Sequence, residues 1–167
     1  RRLAADCGET VNIAVLSEAS ALYVDQVSGG SALASHYWVG QQIPLHATSN
    51  GKVLLAHVSD ARFAELTSAP LRRFTDHTLT DVAALRAEVE AVRRDGYAIA
   101  VDELEIGLTA VAAPITGSDG EVAGSVSASG PTFRIPTERV SDVAVAVVEA
   151  ARQISRRLGW LGAPKPS

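Results

Sequence analysis

The stretch that decides the fold is residues 96–131, GYAIAVDELEIGLTAVAAPITGSDGEVAGSVSASGP. Within it, residues 110–115 and 121–129 are extended apolar-rich runs flanking Gly117-Ser118-Asp119-Gly120, the composition of a hairpin turn. In the second arm Ser125, Ser127 and Ser129 stand at every other position, so a regular strand carries all three hydroxyls on one face. Val122, Gly124, Val126 and Ala128 take the other face. If the valine face meets the helices, the serines are solvent-facing; if the serine face is covered, the hydroxyls need partners. The residues leave both arrangements open.

Working toward the N-terminus, residues 80–95 read as a helix opened by Thr80-Asp81. Val82, Leu85, Val89 and Val92 form one stripe in steps of three and four, and Gly96 stands at the C-cap position. A shorter helix is expected after Ser59-Asp60, with Phe63 and Leu66 turned inward. Another starts at Thr48 or Ser49, each a good N-cap, and carries Val53, Leu54, Leu55 and Val58. Earlier still, residues 10–16 and 22–27 alternate as strands joined by the polar turn Ser17-Glu18-Ala19-Ser20. Gly29-Gly30 breaks the second. A third extended stretch is expected over residues 32–39, with residues 40–44 irregular. Toward the C-terminus, Pro136 opens a long helix as a first-turn proline. Its inward face is Val140, Val143, Val147, Ala151, Ile154 and Leu158, and it stops at Gly159. Residues 161–167 are expected to form a flexible tail. Mixed strands and helices with hairpin connections define an α/β chain of the α+β type. An antiparallel sheet of about six strands with helices packed against it is expected. By resemblance this is close to the GAF and PAS class of profilin-like sensor domains.

The bulk composition narrows function. At 167 residues the chain suits one domain with a real core, and 47% apolar against 20% charged residues is a soluble globular balance. With a net charge of −4, the chain by itself is not expected to grip nucleic acid. It has no apolar run of membrane-spanning length, and no signal peptide is expected at its start. The single cysteine, Cys7, excludes an internal disulfide framework and suits a reducing cytoplasm. The chain has no Met and opens Arg1-Arg2-Leu3, so a piece of a longer protein lacking its N-terminal part is expected.

Catalytic motifs are missing. His36, His46, His57 and His77 share no metal-ligand spacing, and there is no HExxH or CxxC. Cys7 has no identified base, Asp102, Glu103 and Glu105 read as a solvated acidic loop, and Gly51-Lys52 lacks the preceding frame of a phosphate-binding loop. No enzyme, metal or cofactor is expected. A binding function has more to stand on. Ser49-Asn50-Gly51 lies at a helix start, where backbone N–H groups lack partners and the dipole favours an anion. A carboxylate suits it, although an ordinary N-cap with a packing glycine would look the same.

Seven landmarks in register resemble the effector-binding domain of the IclR (isocitrate lyase regulator) family of bacterial transcription factors. They are Glu9-Thr10-Val11-Asn12-Ile13-Ala14-Val15, Tyr23-Val24-Asp25, Pro44-Leu45-His46-Ala47-Thr48, Gly51-Lys52-Val53-Leu54-Leu55-Ala56, Arg93-Arg94-Asp95-Gly96-Tyr97-Ala98, Ala112-Ala113-Pro114 and Ser129-Gly130-Pro131. The resemblance implies an effector-binding domain over residues 1–160, with residues 1–8 the end of a linker helix. It also implies an N-terminal winged helix-turn-helix absent from this chain, through which alone DNA would be bound. A homodimer or tetramer, a cytoplasmic location and a small organic acid as effector follow from the same resemblance.

In the family the acid lies between the helix start matching Ser49, Asn50 and Gly51 and strand hydroxyls matching Ser127 and Ser129. Ala32, Ile43 and Leu108 match apolar pocket positions. Members carry an aspartate at the position matching Ala100 and a cysteine at that matching Ala110. Two alanines there enlarge the apolar part, so an acid with a hydrophobic or aromatic body is expected rather than glyoxylate or pyruvate. Trp38 is close in sequence to this wall but suits a subunit interface equally. The competing readings are a dimerisation module with a vestigial pocket and an enzyme on a GAF-like scaffold, such as a methionine sulfoxide reductase. The latter needs more cysteines than Cys7.

Overall fold

The structure, a computed structural model, describes residues 1–30 and 37–162. Its elements run α1 (Arg2–Cys7), β1 (Thr10–Ser17), β2 (Ser20–Val27), β3 (Gln42–Ile43), α2 (Ser49–Ala56), α3 (Asp60–Leu66), α4 (Val82–Asp95), β4 (Ala98–Val101), β5 (Leu108–Thr116), β6 (Val122–Pro131) and α5 (Thr137–Arg157). The strands form one antiparallel sheet in the order β3-β2-β1-β6-β5-β4. Its central pair, β1 with β6, joins the two ends of the chain, from Thr10 opposite Ser129 to Ala14 opposite Ser125.

Both faces of the sheet are covered. On one, Val53, Leu54 and Leu55 of α2 pack with Phe63 of α3 and with Leu85, Val89 and Val92 of α4 over Ala14, Ala21, Ala98 and Ala112. On the other, Val143, Ala144, Val147 and Ala151 of α5 and Leu3 of α1 pack on Val111, Ala113, Val126 and Ala128. The valine face of β6 therefore meets α5 and the serine face meets α2. Ser125 and Ser127 are buried and Ser129 is half-buried, and the question left open by the sequence is settled by helices covering both sides.

Local chemistry accounts for the helix boundaries. Thr48, Ser59 and Asp81 each accept a hydrogen bond from the N–H three residues on, capping α2, α3 and α4. Gly96 closes α4 at φ 84°, a left-handed conformation that glycine adopts without penalty. All eight residues of α2 are buried, which makes it a core helix with no polar face. Its one cation, Lys52, donates to Glu103 Oε1 at 2.7 Å, to the Ile99 carbonyl at 3.1 Å and to Glu88 Oε2 at 3.3 Å. A second buried ion pair ties the start of β1 to the segment after β6: Arg134 donates to both oxygens of Glu9, the closest at 2.8 Å. Gly130 leaves room for that carboxylate: a Cβ there would lie 2.7 Å from its carboxyl carbon, and the Glu9 side chain would have to shift.

Several expectations need correction. Residues 40–44 are not wholly irregular, since Gln42–Ile43 adds the edge strand β3 to β2. Most of the stretch expected over residues 32–39, and with it Ala32, lies outside the described residues, while residues 37–39 belong to no strand. Pro136 precedes α5 as its N-cap instead of sitting in its first turn. Leu158 lies beyond α5 and is exposed, and Val82 is exposed at the start of α4, so both drop out of their stripes. The inner face of α5 is completed by Ala144 and Ser155. Ser155 accepts from the Thr116 N–H at 2.9 Å and donates to the Ala151 carbonyl at 2.8 Å, fastening α5 to the end of β5. Among the described residues no helix is long and apolar enough to cross a membrane.

Candidate functional site

The loop before α2 folds back on the helix it introduces. Thr48 Oγ1 donates to the Pro44 carbonyl at 2.8 Å and accepts from the Gly51 N–H at 3.1 Å, while the Thr48 carbonyl takes the Lys52 N–H at 3.0 Å. The N–H groups of Ser49 and Asn50 precede the first helical hydrogen bond and have no acceptor within the helix. Gly51 permits the fold-back, since a Cβ there would stand 2.6 Å from the Leu45 carbonyl carbon. The glycine serves a backbone crossing inside the protein, and Gly51 is not among the residues that border the cavity under this helix start.

Under this helix start the sheet presents small residues. One cross-strand row runs Ala100, Ala110, Ser129 and Thr10; the next runs Ala98, Ala112, Ser127 and Asn12. Their short side chains leave a small cavity of about 40 Å³, open on one side, between the sheet and the start of α2. Its polar lining is Asn12, Tyr23, Thr48, Ser49, Glu103 and Ser129. Its apolar lining is Trp38, Ala47, Ala100, Leu104, Leu108 and Ala110. The start of α2 with Ser49, and Ser129 on β6, bring donor groups to the lining, and the alanines and leucines bring apolar surface. An anion with an uncharged body matches that division.

Five residues singled out from the sequence thus border the cavity: Ser49, Ser129, Ala100, Ala110 and Leu108. Three others do different work. Asn50 Nδ2 donates to Ser127 Oγ at 2.7 Å and to Tyr23 Oη at 3.3 Å, and Ser125 Oγ donates to Asn50 Oδ1 at 2.7 Å. The amide is spent pinning α2 to β6, and Ser127 is spent on the amide, so neither borders the cavity. Ile43, buried in the apolar cluster with Tyr23 and Leu45, also lies off the lining. Ala32 falls outside the described residues.

The sequence reading missed Asn12, Tyr23, Ala47, Thr48, Glu103 and Leu104 as lining residues. Asn12 carried a signal, an amide amid the apolar alternation of β1. Glu103 carried none, because its loop reads as solvated while Lys52 draws it inward. Burial pushes the Glu103 carboxyl above the ordinary glutamate value of 4.5, with the charge of Lys52 opposing. Burial likewise raises the Tyr23 hydroxyl, with the bond from Asn50 opposing. Among the described residues, no three His, Cys, Asp or Glu side chains are placed to share a metal ion.

The family described as "Bacterial transcriptional regulator IclR C-terminal" matches residues 1–156. The chain belongs to the IclR family. Against the transcriptional regulator BhcR of Paracoccus denitrificans, this IclR domain is 39% identical over 156 residues, which cover 93% of this chain and 56% of that protein. The chain thus spans just over half the length of that relative. A crystal structure of an IclR regulator from Silicibacter sp. TM1040 superposes with a TM-score of 0.91 at 28% identity, covering 100% of this chain and 66% of the other. A double mutant of the inducer-binding domain of Acinetobacter PobR, in complex with 3-hydroxybenzoic acid, gives 0.85 at 28% identity, with coverages of 92% and 91%. These findings agree with the family read from the seven landmarks and with the α+β fold read from the mixed strands and helices. The relatives are named as regulators, not enzymes.

Proposed function

We propose that the chain is the effector-sensing domain of an IclR-type transcriptional regulator, and that the cavity under α2 takes a small organic acid with a hydrophobic or aromatic body. The observation that carries this is that the start of α2 with Ser49, and Ser129 on β6, border the same cavity as Ala100, Leu104, Leu108, Ala110 and Trp38. The carboxylate is assigned to the helix end and the two hydroxyls, and the body to Ala100, Ala110, Leu104 and Leu108. The 3-hydroxybenzoic acid in the PobR complex is an acid of this kind. Ala100 and Ala110, where family members carry an aspartate and a cysteine, favour a body larger than that of glyoxylate. DNA binding is assigned to a helix-turn-helix outside this chain, α1 to the end of the linker helix, and the assembly to a homo-oligomer.

Thermal denaturation with matched carboxylates and amides, benzoate against benzamide first, tests the assignment. A ligand that binds the native state raises stability by RT ln(1 + [L]/Kd), about 2.7 kcal/mol at a hundredfold excess over Kd. The carboxylate is expected to raise the melting temperature and the amide not to, with Ser49→Ala and Ser129→Ala each reducing the rise. Equal shifts from acid and amide would overturn it.

A further inference from the structure

Among the described residues two side-chain atoms are buried without a hydrogen-bond partner, Asn12 Oδ1 and Glu103 Oε2, and both belong to side chains that border the cavity under α2. Unpaired buried acceptors are costly, and folds ordinarily avoid them. Asn12 is 1% exposed and lies mid-strand, with Ser127 across from it on β6 and Gln26 on β2. A valine would serve β1 at that position without the cost. Glu103 spends Oε1 on Lys52, while its buried Oε2 has no hydrogen-bond partner. Lys52 already serves a second carboxylate, that of Glu88, so the cluster holds two acids for one ammonium and has acceptor capacity to spare.

A plain acid with a hydrocarbon body would satisfy the donors at the helix end and seal both acceptors away unpaired. Resting on the effector reading above, we propose that the cavity selects an acid that also carries a hydrogen-bond donor, a hydroxyl or an amino group, received by Asn12 and Glu103. A site built to receive such a donor discriminates against the analogue lacking it, because the site's own polar groups are then left buried and unsatisfied. Asn12 and Glu103 are thereby specificity-determining residues, distinct from the groups assigned to the carboxylate.

Calorimetric titration of the full chain with two matched pairs, benzoate against 3-hydroxybenzoate and propanoate against lactate, tests this. The hydroxylated member of at least one pair is expected to bind about tenfold tighter or more, the scale of one hydrogen bond to a charged or buried acceptor. Asn12→Val and Glu103→Gln are each expected to bring that ratio to within about threefold. Without ligand, Asn12→Val is expected to melt at the wild-type temperature or above it, since it removes an unpaired buried group from the empty protein. An amide kept for the fold would behave oppositely. Equal affinities within both pairs, or a fall of more than about 2 °C in unliganded Asn12→Val, overturn the inference and leave the effector reading standing. Failure of all four acids to bind overturns both.

Discussion

Replacing Asn50 with leucine tests how the sheet is joined to α2. The side chain is similar in size but loses three hydrogen bonds, to Ser127 at 2.7 Å, from Ser125 at 2.7 Å and to Tyr23 at 3.3 Å. Ser125 and Ser127 are at most 1% exposed, so water cannot replace the amide. An unpaired buried hydroxyl costs about 1–3 kcal/mol. Ser125 can turn partly to the Asn50 carbonyl, which already lies 3.5 Å away, leaving Ser127 and Tyr23 to bear the full loss. The expected destabilisation is about 3–5 kcal/mol, a large part of the roughly 5–15 kcal/mol that holds a domain folded. Urea denaturation reads it as a lower midpoint at unchanged slope. Adding Ser125→Ala and Ser127→Ala removes the stranded hydroxyls and should restore at least half the loss, since deleting both partners of a buried bond is far milder than deleting one. A loss below about 1 kcal/mol in Asn50→Leu, or a triple variant no more stable than the single one, would refute the account.

Gly51→Ala should lower stability by about 2–3 kcal/mol, because the new Cβ meets backbone of Leu45 that no rotamer change can move. The same shift should loosen the cavity, so the melting temperature and the acid-induced rise are expected to fall together. Glu103→Gln should alter the pH dependence of stability. With its folded pKa raised above 4.5, the native state holds a proton that the unfolded chain has released, so this group's contribution falls as pH rises from 4.5 through the folded value. Urea midpoints compared across that range should fall less steeply with rising pH in the glutamine variant than in the wild type; an unchanged slope would count against the burial of this carboxyl.

Much of the fold was legible in the residues because the rules that make helices and strands act over a few positions. The caps at Thr48, Ser59 and Asp81 were all marked by side chains able to accept from an N–H three residues on. The strand β3 had no such mark: it is two residues long and exists through pairing with Ala21 and Leu22. Leu158 fitted the stripe of α5 by spacing yet lies past the helix end, where a periodic pattern no longer determines direction. Of the candidate site, Ser49 was marked by the helix start and Ser129 by the strand alternation, Ala100, Ala110 and Leu108 by the family resemblance, and the structure gathers all five around one cavity.

Periodicity, capping residues and the register of the seven landmarks were enough for most of the helices and strands, the α+β class and the family, though not for β3. The use made of each polar side chain was not contained in them. The serines of β6 were known to share a face, but whether that face was covered depended on where α2 came to rest. Ser127 and Ser129 look alike in the strand, yet the first is bound by an amide 77 residues away in sequence and the second borders the cavity. Glu103 read as a loop acid until Lys52, 51 residues distant, drew it against the core. A hydrogen bond or ion pair is satisfied by whatever partner the packing brings within about 3 Å, and no local pattern encodes a partner from so far along the chain.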